Sequence, residues 1–539
     1  MQTTINQTLG AVNTLSGSAE YQPDPLAVYQ RLCDDKAHTV LLESAEIDKK
    51  HALKSLLVTD AAVKVVCHGR QVTLEALTLN GEAAIDFVCQ QLADVANIST
   101  LASDQVCSSR KTTQVVFPSS DDNLDELSRL KANNAFDALR VFKQIHNSNH
   151  HELAVMLAGC FAFDLMAVAE QLPEVSDSPN SCPDYVFYLA ETIVVIDHEK
   201  RSTEIIGNVF SGPEQQKCYF EISRRLSEIK QQLSQVIEAV PENVSTATSD
   251  EVDVSVDISD QEFCHTVESL KENIRAGDIF QVVPSRTFSL PCPQPIRAYQ
   301  KLKLSNPSPY MFFLQDEDFA MFGASPESAL KYQTSNNQVE LYPIAGTRSR
   351  GFDGNGNLSL DLDSRIELEL RQDQKELAEH IMLVDLARND IARVSKPGSR
   401  HVAELLKVDR YSHVMHLVSR VCGELKPELD ALHAYQACMN MGTLSGAPKV
   451  RATELIRQYE GKRRGSYGGA VGYMTGSGEM DTCIVIRSAF VQNGTAHVQA
   501  GAGVVYDSNP QAEADETRQK AQAVINAVKA SLASSAVEV

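Results

Sequence analysis

Two pairs of glutamates constrain the fold of this chain most strongly, because two distant segments must bring them together. Glu376 and Glu379 stand three residues apart, and Glu513 and Glu516 repeat that spacing near the end of the chain. On an α-helix, residues three apart share one face. Four gathered carboxylates repel one another unless a hard cation such as Mg²⁺ lies between them. We therefore expect two helices with converging acidic faces, although a solvated helix face would explain either pair alone.

The order of the apolar segments predicts the fold class. Paired β-like runs at residues 189–197 and 202–209, and again at 311–315 and 319–325, read as hairpins. Helical patterns lie between such runs without regular βαβ alternation. We therefore predict an α+β fold of mixed, largely antiparallel β-sheets packed with helices, rather than a doubly wound fold.

The chain divides into four regions by composition. Residues 1–20 are polar and read as a loose tail, and residues 21–240 form an N-terminal region. Residues 241–260 are acidic and rich in Ser, Thr and Val, which is typical of a linker or exposed insertion. A C-terminal domain over residues 261–530 follows. Within it, YSHVMHLVSRV at residues 411–421 reads as a helix.

Charge and cysteine usage exclude several classes of function. The net charge of −22 argues against nucleic acid and against an anionic membrane surface as partners. The twelve cysteines are scattered without a CxxC pair, and the first residues lack the features of a signal peptide. The longest apolar run, residues 153–169, is short for a membrane span. These features favour a cytoplasmic protein.

Three glycine-containing turns in the C-terminal domain could cradle a carboxylate with backbone amides. They are PIAGTR at residues 343–348, GTLSGAPK at 442–449 and GAG at 501–503, and none has the spacing of a P-loop. An arginine, Arg487, stands inside what reads as an apolar strand, IVIRSAF. Structural turns explain each motif separately. The combination of three turns, an arginine inside an apolar strand and two glutamate pairs favours a site for a small acid.

Seven motifs in order carry a resemblance to a known family. They are SPESAL, PIAGTRSRG, KELAEHIMLVDLARND, YSHVMHLVSRV, GTLSGAPKVRA, SYGGAVGY and QAGAGVVYDSNPQAEADETRQKA, which occur in this order within residues 263–523. Together they resemble the catalytic region of the chorismate-utilising enzymes, and within them the anthranilate synthase component I group. The similarity extends upstream to LLES at residues 41–44, so it covers most of the chain.

The resemblance implies roles for individual residues. Glu327 matches the general acid of the family, and His416 matches a histidine near the substrate that is implicated in pyruvate elimination. Mg²⁺ would be held by Glu376, Glu379, Glu513 and Glu516. Substrate would be held by Gly346, Thr347, Tyr467, Arg487, Gly501, Ala502 and Gly503. Lys449 also matches a family position, at which a contact with a substrate carboxylate is a weaker expectation.

Two positions indicate which reaction the resemblance implies. Relatives that add water to chorismate carry a lysine base where this chain has Gln281, and an amide cannot deprotonate water. Ammonia is therefore the expected nucleophile. Ala345 stands where aminodeoxychorismate synthases carry lysine, so we expect anthranilate and pyruvate as products. Two alternatives stay open: a 2-amino-2-deoxyisochorismate synthase without pyruvate elimination, and a catalytically silent, tryptophan-binding regulatory subunit.

The resemblance also implies a partner and an inhibitor. No cysteine stands in a Gly-x-Cys-x-Gly elbow, so ammonia would come from a separate glutamine amidotransferase subunit, in a heterotetramer with two copies of each chain. The N-terminal region would be regulatory and would sense L-tryptophan as a feedback inhibitor. The residues expected at that inhibitor site are Glu43, Ser44, Pro309, Tyr310 and Met311.

Overall fold

The computed structural model describes residues 9–34, 36–44, 53–101, 110–119, 124–237, 252–354, 356–411 and 414–535. Most of these residues lie in strands and helices. No helix among them is long and apolar enough to cross a membrane.

The described residues contain twenty-five strands and twelve α-helices. The strands are β1 (Ala11–Ala19), β2 (Thr39–Glu43), β3 (Lys54–His68), β4 (Gln71–Ala76), β5 (Asn97–Thr100), β6 (Thr112–Val116), β7 (His146–Asn147), β8 (Met156–Phe161), β9 (Tyr185–Asp197), β10 (Ser202–Phe210), β11 (Ser255–Val256), β12 (Gln281–Val282), β13 (Ser285–Pro291), β14 (Tyr310–Gln315), β15 (Phe319–Ser325), β16 (Ser328–Gln333), β17 (Gln338–Leu341), β18 (Ile344–Ser349), β19 (His401–Arg410), β20 (Val414–Glu424), β21 (Gly446–Ala447), β22 (Ala470–Thr475), β23 (Met480–Ile484), β24 (Ser488–Gln492) and β25 (Thr495–Gly501). The helices are α1 (Pro25–Cys33), α2 (Leu79–Leu92), α3 (Glu126–Lys131), α4 (Asp137–Arg140), α5 (Gln215–Gln232), α6 (Asp260–Ala276), α7 (Pro295–Ser305), α8 (Leu360–Gln372), α9 (Gln374–Val394), α10 (Ala431–Cys438), α11 (Lys449–Glu460) and α12 (Pro510–Ser535).

Antiparallel pairing dominates the sheet, which confirms the predicted fold class. In the N-terminal part, β9 pairs with β3, β8 and β10, and every residue of β9 is buried. In the C-terminal part, the pairs β14–β15, β15–β24, β24–β25 and β25–β13 form one antiparallel series. A second series runs through β22, β23, β16, β17 and β20 to β18 and β19. Among the named pairs of described strands, only β1–β7 is parallel.

The N-terminal and C-terminal parts are joined by hydrogen-bonded strands. β2 pairs with β14, and β8 pairs with β22, so the sheet is continuous across both junctions. The buried apolar residues follow the same plan, since one core cluster includes both Phe161 of β8 and Tyr435 of α10. Their rings are stacked with centroids 4.2 Å apart. A displacement of the N-terminal part would therefore also move β14 and β22 of the C-terminal part, to which it is hydrogen-bonded.

Several sequence predictions about local structure are wrong. The expected loose tail contains β1, which pairs with β10 over most of its length; residues 1–8 lie outside the described residues. The segment predicted as a helix at residues 411–421 is largely β20, and its nearly continuous burial left no alternation to reveal a strand. Arg487 stands between β23 and β24 with φ of 50°, not inside a strand.

The predicted linker at residues 241–260 is described only in part. Residues 238–251 lie outside the described residues. The remainder is attached to the C-terminal domain, because β11 pairs with β13 and Ser259 caps α6 through a hydrogen bond from the Glu262 amide.

Candidate active site

Helix α9 places the first glutamate pair. It begins after Asp373, whose side chain accepts hydrogen bonds from the backbone amides of Lys375 and Glu376. One turn later, His380 is fully buried and bonds the Ala345 carbonyl oxygen at 3.1 Å. The His380 contact holds α9 against β18, so that Glu376 and Glu379 face the glycine turn of the PIAGTR motif.

Helix α12 places the second pair. Its first turn is capped by Asn509, whose side chain accepts from the Ala512 amide at 3.0 Å. Pro510 at the start of the helix suits a position that needs no amide hydrogen. Glu513 and Glu516 therefore lie in the first two turns of α12.

The two helices and the glycine turns surround a cavity of about 790 Å³. Every sequence-predicted catalytic, substrate and metal residue lines it except Ala502, which is fully buried behind the wall. Lys449 is not among the described residues that line it. Its ammonium group is buried and bonds Asp390 and the Cys438 carbonyl, each at 2.6 Å. The weaker expectation that Lys449 contacts a substrate carboxylate is therefore wrong for this structure.

The four glutamates line the same cavity, and two of them are paired with basic side chains. Arg348 pairs with Glu376 at 2.7 Å, and Lys520 pairs with Glu516 at 2.6 Å. No group of three or more His, Cys, Asp or Glu side chains within the described ranges is close enough to hold a metal ion. Burial, together with Glu376 and Glu516, still raises the pKa of Glu379. The carboxylates are therefore near enough to repel one another and are only partly neutralised.

Glu327 is the strongest candidate for a proton donor in the cavity. It lies between β15 and β16, and its side chain is buried. Burial raises the pKa of its carboxyl to about 8, against the smaller opposing effect of a hydrogen bond from Thr443 at 3.1 Å. Glu327 is therefore largely protonated at neutral pH.

His416 lies on β20 opposite Thr347 of β18. The Thr347 hydroxyl is 2.9 Å from His416 Nδ1. Burial lowers the pKa of His416 to about 4, and the positive charge of Arg487 acts in the same direction. The imidazole is therefore neutral at neutral pH, and its Nε2 has no hydrogen bond among the described residues.

Arg487 provides an unpaired positive charge in the cavity. Its guanidinium forms no ion pair or side-chain hydrogen bond within the described part of the chain, and burial lowers its pKa. The wall beside it is tight, because a Cβ atom on Gly501 would lie 3.0 Å from the Tyr467 hydroxyl oxygen. A planar guanidinium without a partner is suited to bind a carboxylate through two hydrogen bonds.

Gln281 lies in the cavity wall beside Glu379. Its Nε2 donates to Glu379 at 2.8 Å, and its Oε1 is buried without a hydrogen-bond partner among the residues that the structure describes. Gly503 permits this placement, since a Cβ atom there would lie 2.9 Å from Gln281 Nε2. The unpaired oxygen is an acceptor within the cavity wall.

Sequence reasoning missed several residues that line the cavity. Arg348 and Lys520 counter the glutamates, and Thr443 donates to Glu327. Each lies inside a motif that drew attention for another residue. Lys520 follows Glu516 by four positions, so helical spacing could have identified that pair.

The residues predicted to bind an inhibitor lie together where β2 meets β14. Glu43 pairs with Met311 in register, and the Ser44 hydroxyl donates to the Pro309 carbonyl at 2.5 Å. Lys303 bonds the buried Glu43 carboxylate at 2.7 Å, and the Tyr299 hydroxyl donates to its other oxygen. Tyr310 donates to Asp481 at 3.2 Å. The site would join the N-terminal region to the C-terminal domain.

Comparison with protein families gives one match over most of the chain. Residues 86–526 match the model of the chorismate binding enzymes. Curated relatives named anthranilate synthase component 1 are 55% identical in Vibrio cholerae, over 96% of this chain and 96% of the relative, and 55% identical in Escherichia coli, over 95% and 96%.

Solved structures agree with that family. Component I of anthranilate synthase from Streptococcus pneumoniae aligns with a TM-score of 0.66 and 30% identity, covering 89% of this chain and 93% of its own. The menaquinone-specific isochorismate synthase of Escherichia coli aligns with a TM-score of 0.63 at 15% identity, over 98% and 96%, and shows the shared fold alone.

Proposed function

The chain belongs to the chorismate-binding enzyme family, and from that premise we propose that it is the large component of anthranilate synthase. It converts chorismate and ammonia to anthranilate and pyruvate. One observation carries the proposal for this cavity. A largely protonated Glu327 and an unpaired Arg487 guanidinium line the same space, so an acid and an anion-binding group are available together.

Arg487 holds a carboxylate of chorismate, and the amides of the turns at Gly346 and Gly501 approach the substrate closely because neither residue has a Cβ atom. Glu327 then donates its proton to the ring C4 hydroxyl as that group leaves. The buried carboxyl keeps this proton at neutral pH, since its pKa is about 8. Loss of the hydroxyl as water accompanies formation of the C–N bond at C2.

The second half of the reaction removes the C2 proton and the pyruvate group. His416 is neutral, and in the tautomer whose Nδ1–H donates to the Thr347 hydroxyl oxygen, Nε2 is left to accept a proton in the cavity. We assign pyruvate elimination to this histidine. A low pKa makes the imidazolium a strong acid, so it can return this proton to the departing enolpyruvate, which leaves as pyruvate.

A magnesium ion fits the donor set at the four glutamates. Glu376, Glu379, Glu513 and Glu516 supply hard oxygen ligands, and burial, with a smaller contribution from neighbouring glutamates, raises the pKa of Glu379 and Glu513, which a bound cation would counter. When bound, Mg²⁺ would clamp the ring carboxylate and neutralise its charge. Arg348 and Lys520 would release the carboxylates they now hold.

The choice of ammonia as nucleophile follows from Gln281, and the need for a separate source follows from the absence of a Gly-x-Cys-x-Gly elbow in the sequence. An amide can accept a hydrogen bond from ammonia but cannot deprotonate water. We propose that a glutamine amidotransferase subunit, the second component, supplies the ammonia in a heterotetramer with two copies of each chain. Purified chain should use ammonium and fail to use glutamine; equal use of glutamine by the chain alone would contradict a partner.

Feedback inhibition by L-tryptophan is the last part of the proposal. The inhibitor would bind against Ser44, which follows β2, and the turn at Pro309 to which Ser44 is hydrogen-bonded, beside the buried Glu43. Because this junction is continuous with the sheet that carries the active site, binding there can shift the two parts relative to each other.

Turnover of chorismate tests the function directly. The purified chain with chorismate, Mg²⁺ and ammonium should form anthranilate, detected by its fluorescence, and Glu327→Gln should abolish the signal. An accumulated amino intermediate would favour a 2-amino-2-deoxyisochorismate synthase. No turnover, with L-tryptophan bound, would indicate a regulatory subunit.

A further inference from the structure

A buried ion pair behind the cavity wall has no part in the reaction described above. Arg464, which follows α11, is only 1% exposed, and it contacts Glu460 at the end of that helix. Its Nε and Nη2 atoms both donate to the Glu460 carboxylate, at 2.9 and 2.5 Å. Neither residue is among the described residues that line the cavity.

The remaining donors of Arg464 reach two segments that do line the cavity. Its Nη1 donates to the Leu444 carbonyl at 2.8 Å, and its Nη2 donates to the Val283 carbonyl at 2.6 Å. The guanidinium also lies 5.6 Å from the centroid of the Tyr467 ring. Leu444, Val283 and Tyr467 all line the cavity. One side chain therefore contacts three separate parts of its wall.

Glu460 extends the same network to a fourth part. Its Oε1 accepts from both the backbone amide and the hydroxyl of Ser285, at 2.8 and 2.9 Å. Ser285 pairs with Gly501 across β13 and β25, and the Gln499 amide donates to the Ser285 hydroxyl at 2.8 Å. The carboxylate therefore fixes the strand beside the substrate turn at Gly501.

We propose that Arg464 and Glu460 are positioning residues that hold Tyr467, Gly501 and the segments at Val283 and Leu444 in the arrangement that binds substrate. The inference rests on the proposed function, because chorismate is its readout. A buried charge is costly unless every donor is satisfied, so hydrophobic residues of similar size could stabilise the fold equally well. What they could not supply is a rigid guanidinium that fixes three wall segments at once and, through Glu460, a fourth.

Arginine-to-lysine replacement separates geometry from charge. Arg464→Lys keeps a positive charge but has one ammonium group, which cannot serve Glu460 and both carbonyls in the same geometry. We expect the KM for chorismate to rise by about 10- to 100-fold, since small displacements of binding groups have effects of that size. The kcat should change by less than about threefold, because ground-state and transition-state binding are lost together.

Arg457 provides a matched control on the same helix. It is 7% exposed and also forms a buried pair, donating to Asp164 at 2.8 Å and to the Pro173 carbonyl at 2.9 Å. Those partners are not among the residues that line the cavity. Arg457→Lys should lower thermal stability as Arg464→Lys does, yet leave the KM for chorismate unchanged.

The steady-state assay uses the full chain with ammonium and Mg²⁺, and wild-type turnover shows independently whether the proposed function holds. If wild type is active but Arg464→Lys keeps the wild-type KM, or Arg457→Lys raises KM equally, the positioning role is refuted. Glu460→Gln is the second variant in case Arg464→Lys does not fold. It should raise the KM in the same direction, and the double variant should be less than additive; full additivity would also refute the role.

Discussion

The Thr347 hydroxyl lies 2.9 Å from Nδ1 of His416, across the pair formed by β18 and β20. This contact leaves only Nε2 of the imidazole to interact with substrate. It also joins a residue of the glycine turn to the residue to which we assign pyruvate elimination. The relative position of the two strands therefore sets the orientation of the ring.

His416→Ala should slow pyruvate elimination more than amination. Loss of a positioned proton acceptor costs about 10²- to 10⁴-fold in rate. The amino intermediate should therefore accumulate, which liquid chromatography with mass detection would show. Equal loss of both steps would contradict this assignment.

Thr347→Val should slow pyruvate elimination by about tenfold. Valine has nearly the shape of threonine but lacks the hydroxyl that orients the His416 ring. Thr475→Val is the matched control. Thr475 ends β22, and its hydroxyl lies 2.7 Å from the Ser477 hydroxyl. Neither residue is among the described residues that line the cavity. Stopped-flow measurement of anthranilate formation should show full activity for that variant; a deficit equal to that of Thr347→Val would point to general destabilisation.

The activity should fall as the pH rises through about 8, since Glu327 must be protonated to act as an acid and its pKa is about 8. Glu327→Gln removes the donor and should lower kcat by about 10²- to 10⁴-fold. A pH–rate profile of kcat/KM gives the apparent pKa. A flat profile between pH 7 and 9 would contradict the role of Glu327.

The same carboxyl should make stability depend on pH. A carboxyl whose pKa is raised on folding stabilises the fold below its unfolded pKa, and that contribution is lost as the pH rises through about 8. Glu327→Gln should therefore be more stable than wild type at pH 9, on the order of 3–5 kcal/mol. Urea unfolding at pH 5 and 9 measures the difference. Glu340→Gln, which loses a pair with Arg420 at 3.2 Å, should show no such gain.

Magnesium should stabilise the free protein by about 2.7 kcal/mol at a concentration of one hundred times its Kd. Glu379→Gln or Glu516→Gln should reduce that gain, because each removes an oxygen anion from the site. Glu369→Gln, on the exposed face of α8, should keep it. Thermal unfolding with Mg²⁺ and with a chelator measures the effect. A full gain in Glu379→Gln would place the ion elsewhere.

Ser44→Phe should abolish inhibition by L-tryptophan while leaving activity intact. A clash between the introduced phenylalanine ring and the inhibitor that costs only about 1.4 kcal/mol would already weaken L-tryptophan binding tenfold. Ser227→Phe, exposed on α5, is the control for added bulk. Inhibition curves with ammonium as nitrogen source give the comparison; unchanged inhibition in Ser44→Phe would exclude this pocket.

Local patterns in the sequence predicted part of this arrangement. The spacing of Glu376 and Glu379, the hairpins and the α6 end at Gly277 depend on neighbours along the chain, and the structure shows each of these local features. The strand at β20 was missed because a strand buried on both faces lacks alternation.

Contacts between distant segments could not be predicted in the same way. Arg348 lies twenty-eight residues from Glu376, and Arg464 lies far from Val283 in the sequence. Nothing in the local pattern distinguishes these arginines from solvated ones. Their roles follow only from the tertiary fold, which places charged groups behind or inside the cavity.

The most direct test of the central claim is a time course with chorismate, ammonium and Mg²⁺ in which anthranilate and pyruvate are both quantified. Anthranilate is followed by fluorescence and pyruvate by reduction with lactate dehydrogenase and NADH. We predict equal amounts of the two products, formed at the same rate and abolished by Glu327→Gln. Formation of an amino intermediate without pyruvate, or no consumption of chorismate, would contradict the proposed function.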